Sequence, residues 1–108
     1  MANIFKNQYT DLGTSNSDVV DAISSGTGIV LTLRCTNVDG SSAATVTVEV
    51  VDASSGDAKI ASTMTVPADS SIELAGTSKI VLETGDKIQA LASASGDIEV
   101  FASYLNIT

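Results

Sequence analysis

The side chains able to do chemistry in this chain are carboxylates and a single thiol. There is no histidine and no tryptophan, and Cys35 stands alone. Without an imidazole, neither a Ser–His–Asp nor a Cys–His arrangement can be assembled. One thiol with no imidazole does not make a zinc site. No G-x-x-x-x-G-K or G-x-G-x-x-G stretch is present to cradle a phosphate, and Gly26-Thr27-Gly28 precedes a strand-like run, so it reads as a loop hinge. Asp39, Asp52, Asp57, Asp69, Asp86 and Asp97 remain, all at turn-like positions. Aspartate builds such turns by bonding its own backbone. The alternative is a calcium site drawn from two neighbouring loops, since calcium takes clustered oxygens, but no regular calcium-loop spacing appears. A paired-carboxylate glycosidase would need aromatic sugar platforms that the chain lacks. Cys35 shares strand parity with Leu31 and Leu33, which suggests a small buried hydrophobe. A reactive thiol would have only Arg34 nearby to activate it. The expectation is a protein that is not an enzyme, with no catalytic, metal or cofactor residues.

The elements that hold these residues are strands. Gly56-Asp57, Gly85-Asp86 and Gly96-Asp97 punctuate runs of Val, Ile, Thr, Ser and Ala, as antiparallel β-structure requires. Ile29, Leu31, Leu33 and Cys35 alternate with Val30, Thr32, Arg34 and Thr36, and period two sends the first set inward. Val46, Val48 and Val50 point inward from the next strand. Ile60, Met64 and Val66 mark another, closed by Pro67. Short strands follow at Ile72–Leu74 and Ile80–Leu82, and then Ile88, Ala90, Ala92 and Ala94 share a face. Val19 to Ile23 reads as a strand or as one helical turn capped by Asp18. Residues 1–12 read as an extended N-terminal arm or an edge strand. The last strand, Ile98 to Ile107, is apolar on both sides: Ile98, Val100, Ala102 and Tyr104 on one, Phe101, Leu105 and Ile107 on the other. Such a strand is covered twice, by its own core and by the N-terminal segment or another subunit.

About eight short strands at roughly 8–12-residue spacing predict an all-β fold, an antiparallel β-sandwich of jelly-roll or Ig-like type. At 108 residues the chain is one domain, residues 1–108. Apolar residues make up 44% but aromatics only 4%, so the core should be thin and built from small side chains. Five basic against 13 acidic residues leave a net charge of −8. That argues against nucleic acid, whose phosphates need clustered Lys and Arg, and against anionic membrane surfaces. The first residues carry no apolar run of a secretory signal, and no stretch approaches the roughly 20 apolar residues of a membrane span. Synthesis and maturation in a reducing cytoplasm are expected. The four aromatics, Phe5, Tyr9, Phe101 and Tyr104, either anchor the core and the N-terminal segment or belong to a contact surface, where such side chains are enriched. With Leu105 and Ile107 they form the candidate interface.

Three stretches carry a family resemblance: residues 2–7, ANIFKN; NVDG at 37–40 followed by ATVTV at 44–48; and IVLETGDKI at 80–88. Together with the ending ASASGDIEVFASYL at 92–105, they make the chain resemble small virion structural proteins of tailed bacteriophages, notably those of marine bacteria and cyanobacteria. The resemblance implies a capsid decoration (cement) protein that stabilises the shell from outside, with the major capsid protein or other virion proteins as partners. A neck or tail component is its alternative. LETGDKI at 82–88 and FASYL at 101–105 are also similar to jelly rolls of the tumour-necrosis-factor type, which implies a homo-oligomer, a trimer foremost. A carbohydrate-binding sandwich is the remaining reading, for which Tyr9 and Tyr104 would have to serve.

Overall fold

Alternation of valine with threonine builds the clearest strands, because each branched side chain suits the pleat and every second one meets the core. The computed structural model describes residues 2–76 and 78–108; Met1 of the expected arm and Thr77 lie outside the described residues. Nine strands are described: β1 (Asn3–Asp11), β2 (Ser17–Val20), β3 (Thr27–Asn37), β4 (Ala44–Asp52), β5 (Gly56–Val66), β6 (Ser71–Glu73), β7 (Ile80–Leu82), β8 (Lys87–Ala92) and β9 (Ile98–Ile107). One sheet runs β1-β9-β3-β6, with β7 also on β3; the other runs β2-β8-β4-β5. All pairings are antiparallel.

The pairings are nested. β1 meets β9, β2 meets β8, β3 meets β6 and β7, and β4 meets β5. That is a long hairpin rolled onto itself, the jelly-roll order. An Ig-like sandwich would keep the first two strands in one sheet; here β1 and β2 lie in opposite sheets. The helical-turn alternative for Val19 to Ile23 gives way to β2, with Ile23 buried just beyond it. The Gly-Asp turns are real: Gly56, Gly85 and Gly96 have φ of 108°, 92° and 84°, a region that glycine alone enters freely.

The core between the sheets is mostly valine, alanine and leucine, with Leu33, Leu82, Ile88 and Ile98 among its largest fully buried members. β9 follows its expected alternation, with Ile98, Val100, Ala102 and Tyr104 inside. In β3 the expected parity fails over its first half. The register against β9 shifts between Val30 and Thr32. A β-bulge there turns Val30 into the core and leaves Ile29 and Leu31 only half-buried, while Leu33 and Cys35 keep their inward places. One extra residue reverses which side faces in. In β5 the register against β4 shifts twice, between Val46 and Val48 and between Val48 and Glu49, so Ala61 turns inward and Ile60 is exposed, whereas Met64 keeps the parity of buried Val66 but is exposed on this edge strand.

Candidate interaction surface

Antiparallel register assembles the outer face of the five-stranded sheet into rows. Phe5 lies opposite Leu105, Leu105 opposite Ile29, and Ile29 opposite Val81. This row crosses four strands without a polar side chain. Its two ends are open, Phe5 at 74% exposure and Val81 at 60%, while Leu105 and Ile29 between them are half-buried. Ile107 continues the apolar patch one row away, between Asn3 and Thr27. Towards the other end of the sheet, Tyr9 lies opposite Phe101, and Phe101 opposite Arg34. Charges gather there: Asp11 opposite Glu99, and Arg34 with its Nε 3.7 Å from Glu73. The outer face of the second sheet is polar by comparison, with rows such as Asp18–Gln89–Glu49–Lys59.

The six expected interface residues therefore divide. Phe5, Tyr9, Phe101, Leu105 and Ile107 share the outer face of β1 and β9. Tyr104 has opposite parity and is buried in the core, where desolvation, helped by the nearby Asp21 carboxylate, raises its hydroxyl pKa above the ordinary value. The Tyr9 hydroxyl donates to Glu99 Oε2 at 3.4 Å. Partial desolvation and the Glu99 and Asp11 carboxylates raise its pKa too. Residues 3–11 do not lie over β9 as a lid. They extend its sheet edge to edge, so the outer face of β9 stays open. Ile29, Val81 and Arg34 belong to the same face, and the linear pattern did not single them out. Their signal is cross-strand register.

Of the six aspartates expected to build turns, Asp39, Asp52 and Asp86 do so through side-chain bonds, while Asp57 lies within β5. Asp39 Oδ1 accepts from the Ser41 backbone N–H, the Ser41 hydroxyl and the Ser42 N–H, and Asp52 Oδ1 does the same with Ser54 and Ser55. Those donors hold both carboxyls below the usual range. Asp86 is buried and joins two turns: Oδ1 accepts from Ala53 N–H at 3.0 Å and Oδ2 from Glu83 N–H at 2.9 Å. Asp52, Glu83 and Asp86 bring oxygens within 4.8 Å of one another, and the hydrogen bonds just described account for the closeness of Asp52 and Asp86. Glu73 plugs a gap. Between β6 and β7 the Leu33 N–H has no strand partner, and Glu73 Oε2 accepts it at 2.7 Å. Beside it, Cys35 is fully buried, and desolvation together with Glu73 pushes its thiol up to about 12. No ligand-sized cavity opens among the described residues, and no helix among them is long and apolar enough to cross a membrane.

No family model matches the chain, and no curated protein does. Solved structures do. A chain from Bacillus endospore appendages, a family of disulfide-linked pili, superposes with a TM-score of 0.54 at 14% identity, covering 97% of this chain and 86% of that one. Two crystal structures of a pentameric capsid protein from metagenomic phage sequences give 0.48 at 17% and 18% identity, covering 93% of this chain and 59% and 61% of theirs. The likeness is one of fold.

Proposed function

We propose that this protein is a non-enzymatic structural component of a phage particle, a decoration protein that docks on the outside of the assembled shell through the open face of its five-stranded sheet. The observation that carries the reading is the Phe5–Leu105–Ile29–Val81 row, an apolar band on a molecule of net charge −8. Contiguous apolar surface of this kind favours being covered, and a charge-poor centre with a polar rim is how protein contacts are built. The acidic remainder keeps the domain from competing for packaged nucleic acid. Binding only to the assembled shell, and not to free subunits, stabilises the shell by mass action. The virion assignment draws on the family resemblance. The disulfide linkage of the endospore appendages has no counterpart here, because the one cysteine is buried.

The test is a purified particle with and without this protein. Presence in the virion and greater heat resistance of the decorated shell are expected. Phe5→Asp should weaken binding to bare shells roughly thirtyfold, since covering Phe5 is worth about 2 kcal/mol. Absence from virions, or shell binding indifferent to that substitution, defeats the proposal. A copy for each shell subunit would fit decoration; a single ring of copies would move the protein to the neck or tail. The trimer implied by the tumour-necrosis-factor-type likeness is a separate alternative to a two-fold assembly, and light scattering of the free protein decides between them.

A further inference from the structure

The exposed edges of the two sheets are not alike. β5 breaks register twice and holds Thr63 at a φ of 50°. β2 has four residues and a bulge. β6 and β7 have three residues each, and the Glu73 carboxylate fills the space between them. Short, bulged or charged edges are how proteins prevent strand addition. β1 is neither short nor bulged: nine residues in unbroken register with β9, no proline, and only two charges, Lys6 and Asp11.

Its free hydrogen-bonding groups can be identified. Ala2 and Thr108 exchange both backbone bonds, at 3.2 and 2.9 Å, and Leu12 N–H donates to the Ile98 carbonyl. Even-numbered residues of the segment therefore bond to β9. In an antiparallel ladder the alternate residues turn their N–H and C=O groups the other way. Asn3, Phe5, Asn7, Tyr9 and Asp11 present theirs on the open edge.

We propose that β1 pairs antiparallel with β1 of a second copy of this chain, about a two-fold axis through Asn7. In that register Asn7 faces its own counterpart, Phe5 faces the partner's Tyr9, and Asn3 faces the partner's Asp11. These pairings of odd-numbered residues are all of the hydrogen-bonded kind, and all five outward residues are satisfied together; a slip in either direction leaves some unpaired. The strand is self-complementary in charge as well. It holds one lysine and one aspartate, so it is neutral within a chain of −8, and Lys6 falls opposite the partner's Gln8. The two Phe5–Tyr9 pairs, flanked by Leu105 and Phe101 on β9, continue the apolar patches of the two outer faces across the seam, one on each side of the polar row of Asn7 and Ser103 on the axis.

Cysteine crosslinking tests the register. A hydrogen-bonded antiparallel pair has its Cα atoms about 5.5 Å apart, inside the disulfide range of about 4.4–6.8 Å. Asn7→Cys should therefore form a covalent dimer under mild oxidation. Phe5→Cys alone should not, and Phe5→Cys mixed with Tyr9→Cys should. Buried Cys35 does not interfere. By light scattering the wild-type protein should show twice the 11.0 kDa of one chain, and Asn7→Pro should restore the single-chain mass, because the lost N–H points away from β9. If Asn7→Pro does not fold by circular dichroism, Asn7→Lys takes its place; two lysines facing each other on the axis should shift dimerisation to higher protein concentration. A monomeric or trimeric wild type, equal crosslinking of the Phe5 and Asn7 variants, or a dimer unchanged in both Asn7→Pro and Asn7→Lys overturns the proposal. No virion is needed, so this outcome stands apart from that of shell docking.

Discussion

Replacing one NH2 group by oxygen at Asn37 should make stability depend steeply on pH. Asn37 is wholly buried at the end of β3. Its Nδ2 donates to the carbonyls of Ser42 and Val66, both at 3.0 Å, and its Oδ1 accepts the Asp39 N–H at 2.9 Å. Three bonds thus tie the β3–β4 loop to the end of β5. In Asn37→Asp the shape is kept, but a carboxylate oxygen now faces two carbonyl oxygens. A buried carboxylate whose second oxygen faces only acceptors, with the Asp39 N–H as its one donor, neutralises instead of ionising. Protonation restores one of the two lost bonds, leaving a deficit of about 1 kcal/mol. Holding the proton at pH 7 costs a further ~4 kcal/mol, from about three pH units above the unfolded value near 3.9 at 1.36 kcal/mol each. The total is ~5 kcal/mol at pH 7 and about 1–2 kcal/mol at pH 4. The sign follows from linkage. The folded pKa is raised, so the variant is best relative to wild type below about pH 4 and loses ground as pH rises towards that folded pKa. Urea unfolding of both proteins at several pH values from 4 to 7 measures the gap. A gap that does not widen with pH, or that stays under ~1 kcal/mol at pH 7, refutes the buried-donor account.

Other substitutions probe other joints of the fold. Gly26 has a φ of 74° and sits against the Ile107 carbonyl, where a Cβ would collide with backbone. Gly26→Ala should cost at least about 2 kcal/mol, while Gly13→Ala, with nothing within 4 Å of its added carbon, should stay within ~0.5 kcal/mol; equal thermal midpoints would refute the contact. The Cys35 thiol, raised to about 12 and buried, should react with a disulfide reagent only along the urea transition; labelling of the native protein at a free-cysteine rate would contradict its placement. Asp39 and Asp52 have lowered folded pKa values. Their contribution is therefore present above the unfolded value of 3.8 and lost as pH falls from there through the folded values. Asp39→Asn with Asp52→Asn should flatten the acid limb of a thermal-midpoint profile, and an unchanged limb would show the turn bonds to be inconsequential.

Local pattern carried the strands and the faces of the regular ones. Val46 and Val48 point inward in β4, and Phe101 and Tyr104 fall on opposite sides of β9, because a side-chain period of two is a property of consecutive residues. The Gly-Asp turns were legible for the same reason, since positive φ is a requirement on a single residue. The absence of histidine, the lone thiol and the acidic balance are likewise properties of the chain alone. The tertiary structure decided what depends on residues far apart. The bulge at Leu31 reversed the expected faces of Ile29 and Val30, because it is defined only against β9. Jelly-roll wrapping, and not Ig-like order, follows from nested pairing of the two ends of the chain. The exposed row joins Phe5 to Val81 through Leu105 and Ile29, three cross-strand steps that no window of sequence contains. Which residues alternate is written in the backbone's own geometry; which of them become neighbours is set by how the rolled sheets bury their common core.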